Sequence, residues 1–195
     1  MRDSLRSVME IAKGKFMSQE NFIRDAKERF SIVGPQSSED EIETVFPDAF
    51  PGREDLKQFY LLYNGGSRTE LGGTVYCGNP EHRVSRDHLD KIRVEGFFSR
   101  SRDPQKRMLG FHSMLGCRAT RLRTFSAVPE MKTFLEGHMP IAFDHSGNYL
   151  WINLQNGHIQ FLDWDAYREG PVEIASSFRD FVTRFWADAV LPELD

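Results

Sequence analysis

Six histidines, two cysteines and a short run of carboxylates mixed with aromatics are the residues that chemistry would use first. The histidines are His82, His88, His112, His138, His145 and His158. No two stand at the HxxxH or HExxH spacing that turns both imidazoles toward one zinc ion. Cys77 and Cys117 are far apart and form no CxxC pair, so the sequence writes neither a zinc knuckle nor a disulfide framework. Two reduced thiols in a reducing compartment are the simplest reading. A cysteine nucleophile needs a base that nothing here identifies, and Ser113, Ser126 and Ser146 lack a GxSxG context. Gly65-Gly66 and Gly72-Gly73 lack the Lys-Ser/Thr of a phosphate-binding loop; they read as a helix cap and a strand-entry turn. Asp144-His145 falls in a turn, where both residue types are ordinary. These residues predict no catalytic group, no metal and no cofactor.

The acidic, aromatic loop from Asp163 to Pro171 remains. Asp163, Trp164, Asp165, Tyr167 and Glu169 set two aromatics among three carboxylates, a composition suited to a protein-binding hot spot. The competing reading is that Trp164 and Tyr167 only pin the loop to the core.

Charge is segregated along the chain. Residues 83–124 hold eleven Lys/Arg against four Asp/Glu, and residues 125–195 hold four against eleven. The basic segment, with Phe97 and Phe98 among its arginines, has the composition of a phosphate-binding and base-stacking surface. The whole chain nevertheless has a net charge of -4 and a pI near 5.9. Internal compensation between the two segments is therefore expected, and nucleic acid is not the expected partner. The opening MRDSLRSVMEIAKGKF lacks the apolar core of a signal peptide, and no stretch approaches the ~20 apolar residues of a membrane span. The expectation is a cytoplasmic protein with no membrane partner.

These residues need elements to hold them. Spacing predicts a helix over 1–15 and a second, capped by Ser18, carrying Phe22, Ala26 and Phe30. Ser38–Glu41 forms a capping box ahead of Ile42, Val45 and Phe46, with Pro47 as the stop. Leu56, Phe59, Tyr60 and Tyr63 mark the next helix, which Asn64-Gly65-Gly66 ends. Thr74–Cys77 reads as a strand. Ser85 caps a short helix through Leu89 and Ile92, within a long and partly mobile surface excursion over 79–127. Pro129 starts a helix with Met131, Phe134 and Leu135. From Met139 the pattern sharpens: a strand over 140–144, a turn at 145–148, and a strand over 149–154. Leu150, Ile152 and Leu154 share one face of that strand; Tyr149, Trp151 and Asn153 share the other. Asn156-Gly157 predicts a two-residue hairpin turn, followed by a returning strand over 158–162. Ser177 caps a final helix bearing Phe178, Phe181, Val182 and Phe185, which should dock on the sheet.

Three of these blocks together resemble the SUKH superfamily of Smi/Knr-like proteins, named partly for a yeast cell-wall synthesis regulator. The first is Glu43–Phe46 with Phe50-Pro51 and Leu56–Gly66. The second is Met139–Asp144, Gly147–Leu154, Gly157 and Ile159–Asp163. The third is Ile174–Phe181. Phe50 stands where Leu is usual, and residues 1–36 match only in being helical. The resemblance implies an α+β fold, a mixed or antiparallel sheet with helices packed around it, over residues 37–195. Residues 1–36 would then be a helical extension packed on that domain. It also implies a non-enzymatic role: an immunity protein that neutralises a cognate toxin domain, often a nuclease, or alternatively a regulatory or scaffold protein with an unrelated protein partner.

Overall fold

The structure, a computed structural model, describes residues 30–32, 37–62, 66–68, 74–77, 91–98, 113–144, 146–183 and 185–187. The helices expected at 1–15 and 18–29, and Tyr63–Gly65, Gly72-Gly73 and Ser85–Leu89, lie outside them.

The capping box forms as the sequence expects. Glu41 N donates to Ser38 Oγ at 3.3 Å, and Ser38 N donates to Glu41 Oε2 at 2.8 Å. This starts helix α1 (Glu39–Val45), which buries Ile42 and Val45. Helix α2 (Arg53–Leu62) buries Leu56, Phe59 and Tyr60. Arg53 ties the two helices: its Nε donates to the Phe46 carbonyl at 3.0 Å, at the end of α1, and its guanidinium also pairs with Glu43.

Nine strands follow among the described residues, every pair antiparallel: β1 (Phe30–Ile32), β2 (Gly66–Arg68), β3 (Thr74–Cys77), β4 (Lys91–Phe97), β5 (His138–Asp144), β6 (Tyr149–Asn153), β7 (Ile159–Leu162), β8 (Val172–Ala175) and β9 (Phe185–Ala187). The order runs β1-β2-β4-β5-β6-β7-β8, and β3 pairs with β4 and with β9. Three further helices are α3 (Met114–Thr124), α4 (Pro129–Gly137) and α5 (Phe178–Thr183). The fold is α+β, and its sheet is antiparallel rather than mixed.

Several expectations are corrected. Phe30 belongs to a strand, not to the end of a helix, and Phe185 lies in β9 rather than on α5. The expected excursion over 79–127 contains β4, at the middle of the sheet, and α3, with Ile92, Val94, Phe97, Phe98, Met114 and Cys117 all buried. The alternation of Ile92 and Val94 is a strand signal, so Ile92 does not sit on a helix. Asn156-Gly157 is not a two-residue turn. The loop between β6 and β7 closes with Asn153 N donating to the His158 carbonyl at 2.9 Å, and only Gly157 has positive φ. The Asn153 side chain accepts from Gln155 N and Asn156 N, which holds the longer loop in place.

Both faces of the sheet are covered. On one, α1, α2 and α5 bury Ile42, Leu56, Phe59, Phe178 and Phe181 against Val94, Met139, Leu150, Ile152 and Ile159. A hub of rings centres there: Phe59 to Phe97 at 4.8 Å and Phe59 to Phe178 at 5.3 Å. Helix α5 has only six residues, too few to be stable alone. Burial of Phe178, Phe181 and Val182, each worth roughly 1.5–3 kcal/mol, holds it instead. Ser177 Oγ caps it, accepting from Asp180 N, and Arg179 pairs with Asp55 of α2, its Nε 3.0 Å from Oδ2. On the other face, α4 lays Met131 and Leu135 on Trp151 and Leu162.

Gly157 joins the hairpin to the start of α2. Its φ is +77°, and a Cβ there would stand 1.9 Å from the Pro51 carbonyl oxygen. Backbone would have to move, so Gly157→Ala should destabilise the protein by about 3 kcal/mol or more. Gly147 has φ +82° with nothing within 4 Å of its Cβ position. Gly147→Ala should therefore cost only about 1–2 kcal/mol. Urea unfolding of both variants checks the difference.

Candidate partner-binding site

The loop between β7 and β8 starts beside the turn between β5 and β6, because register pairs Tyr149 with Leu162. Asn148 joins the two connections. Its Nδ2 donates to Asp144 Oδ2 at 3.0 Å, and its Oδ1 accepts from Trp164 N at 3.1 Å. Asp144 Oδ1 also accepts from Ser146 N and Asn148 N. Asp144 is thus committed to a turn, as its sequence position suggests; His145 lies outside the described residues.

Trp164 packs on the end of α3. Its indole stacks with Phe125 at 5.5 Å and 17°, and the Arg121 guanidinium lies over it at 4.0 Å. Arg121 and Phe125 are one helical turn apart, so one face of α3 presents both to the loop. Tyr149 and Trp151 meet the indole edge-on at 5.5 Å and 6.0 Å. Tyr167, in a short 3-10 turn (Tyr167–Glu169), rests on Phe125 at 5.2 Å. The two loop aromatics therefore pin the loop, and each ring stays partly exposed.

The carboxylates are placed differently. Asp163 is half-buried and its Oδ1 accepts from Asp165 N at 2.9 Å. Asp165 and Glu169 are exposed, and among the described residues no Lys, Arg or His lies within ion-pair distance of either. The five residues singled out in the sequence thus come together: two rings as the anchor and three carboxylates around them.

Sequence reasoning missed Arg121, Phe125 and Tyr149 as the support for this loop. The only signal was the i, i+4 spacing of Arg121 and Phe125, which does not reveal what docks there. Tyr149 also lies beside Cys117. Burial pushes the Cys117 thiol up to about 11, opposed by Tyr149 and Arg121. Cys117 is a free, buried thiol, held in its protonated form and poorly suited to act as a nucleophile.

Two arginines of the basic segment take neutral acceptors. Arg118 Nε donates to the Leu135 carbonyl at 2.8 Å, and its guanidinium also reaches the Glu136 carbonyl, capping the end of α4. Arg123 reaches Thr120 Oγ1. Among the described residues, no ion pair joins an α3 arginine to a carboxylate of the loop. No group of three or more His, Cys, Asp or Glu among those residues could hold a metal ion, and no helix among them is long and apolar enough to cross a membrane.

The sheet is antiparallel with helices on both faces, and it carries an acidic loop braced by rings. The chain belongs to the SMI1 / KNR4 family (SUKH-1), whose model matches residues 36–184. No curated protein and no solved structure matches it.

Two measurements probe this face. Trp164→Ala should lower stability by about 2 kcal/mol, because the ring is partly rather than fully buried, while Trp164→Phe should cost less. Thermal unfolding reads both. His138 lies below the same aromatic layer, stacked on Phe134 at 4.0 Å. Burial lowers its pKa from the usual 6.5, more strongly than the Phe134 carbonyl and Gln160 raise it. The unfolded chain then takes up a proton at a higher pH than the folded chain does. Stability present above about pH 6.5 is lost as pH falls below it. The urea midpoint should fall more between pH 7.5 and 5.5 in the wild type than in His138→Gln.

Proposed function

We propose that this chain is an immunity-type protein. It works without catalysis or a cofactor, holding a cognate toxin domain, such as a nuclease, in the cytoplasm. The partner-binding residues are Asp163, Trp164, Asp165, Tyr167 and Glu169. One observation carries the reading: Asp165 and Glu169 stand exposed and, among the described residues, without a cation of their own, on a loop that ring stacking already holds in shape. A preformed loop loses little entropy on binding, and unpaired carboxylates steer a basic surface toward it. Family membership supports the reading, since the resemblance implies many proteins of this kind.

The second reading is a regulatory or scaffold protein with an unrelated protein partner. It is favoured by the family's name, which comes partly from a yeast cell-wall regulator. The product of the adjacent gene separates the two. Co-expression should give a stable complex and protect the host from that product. In the double variant Asp165→Lys, Glu169→Lys, association should slow on the order of tenfold at low salt and lose its salt dependence. Absence of both complex and protection would refute the immunity reading.

A further inference from the structure

Four arginines with described side chains are half-buried: Arg53, Arg118, Arg121 and Arg179. Three of them spend their donors on oxygen atoms of this chain. Arg53 takes the Phe46 carbonyl and Glu43, Arg118 takes the carbonyls of Leu135 and Glu136, and Arg179 takes Asp55. Among the described residues, Arg121 takes no carboxylate and no carbonyl. It lies 4.0 Å above the Trp164 ring and 5.0 Å from the centre of the Tyr149 ring, and the Tyr149 hydroxyl is the one oxygen of those residues set beside it.

A guanidinium has five in-plane donors, and stacking on a ring occupies only its face. The fork edge of Arg121 is thus left with donors to spare, in a plane fixed by two aromatic rings. The rings remove much of the side-chain freedom that an exposed arginine would lose on binding. The acceptor that matches such a fork is a carboxylate or a phosphate. The setting decides between them. Asp163 and Asp165 flank Trp164, so a bare anion, or a partner that is anionic throughout, would be repelled. An acidic side chain set among basic ones would satisfy Arg121 and the loop carboxylates together.

We propose that Arg121 receives an Asp or Glu side chain of the protein partner, placed among Lys or Arg side chains that meet Asp165 and Glu169. This rests on the proposed function, and it names an Arg121-centred contact that the loop residues alone do not supply.

The test uses the complex with the product of the adjacent gene, with dissociation rates measured for wild type, Arg121→Met and Arg121→Lys. Each variant is first checked for wild-type thermal unfolding. Arg121→Met should speed dissociation on the order of 30-fold, and Arg121→Lys less, since it keeps the charge but loses the fork. Each Asp and Glu of the partner is then changed to Asn or Gln. One such change should cost as much as Arg121→Met, and the pair together should cost no more than either alone. A complex that forms normally but dissociates at the wild-type rate with Arg121→Met overturns the inference and leaves the proposed function standing. So does a loss that couples to no carboxylate of the partner. Failure of the wild type to bind overturns both.

Discussion

The centre of strand β6 meets water on neither face: Leu150 and Ile152 on one side and Trp151 on the other are all 0% exposed. Antiparallel sheets commonly leave one face solvated. Here each face must be roofed, and that requirement sets the positions of the five helices. Helix α1 supplies Ile42 and Val45, and helices α2 and α5 supply the Phe and Leu side chains, that cover Leu150 and Ile152. Helix α4 covers Trp151, and the end of α3 completes that layer through Phe125. The loop between β7 and β8 depends on the same constraint. Tyr149 and Trp151 project from β6 on the α4 side, and their rings are the wall that Trp164 closes against. Removing that second layer would leave the loop without a floor.

How far the sequence shows this differs from element to element, for physical reasons. The alternation of β6 and the capping box of α1 are local patterns, and both are legible. Strand β4 also alternates, yet the arginines and lysine around it suggest a solvated excursion; charges between buried positions do not stop a strand from lying mid-sheet. Phe30 and Phe185 continue helical spacings but belong to strands, because tertiary pairing outweighs the weak preference of a few residues. Gly157 was legible as a turn glycine. Its second role, letting the backbone pass the Pro51 carbonyl, is a contact between distant segments that no local pattern contains.

The candidate site was legible in composition but not in mechanism. Five residues in one loop could be named because carboxylates and rings alternate there. Whether the rings bind a partner or hold the loop depends on what they face, and they face α3. Backbone carbonyls at the end of α4 receive Arg118, and the faces of two rings receive Arg121. A ring face neutralises no charge, so the loop carboxylates and Arg121 keep their full electrostatic reach.

This separates two functions within one small surface. Phe125, Trp164 and Tyr167 hold the loop by contact area, which is insensitive to salt and pH. Asp165 and Glu169 contribute almost nothing to that hold, since exposed charges away from such contacts change stability by only about ±0.5 kcal/mol. The charges can therefore be altered to suit a different partner without unfolding the loop that presents them, while the rings beneath cannot. Arg121 belongs to both sets: its face is part of the packing, and its edge, in the proposed contact, serves recognition. A substitution there is expected to disturb binding through the edge even when a long apolar side chain, such as methionine, restores most of the packing.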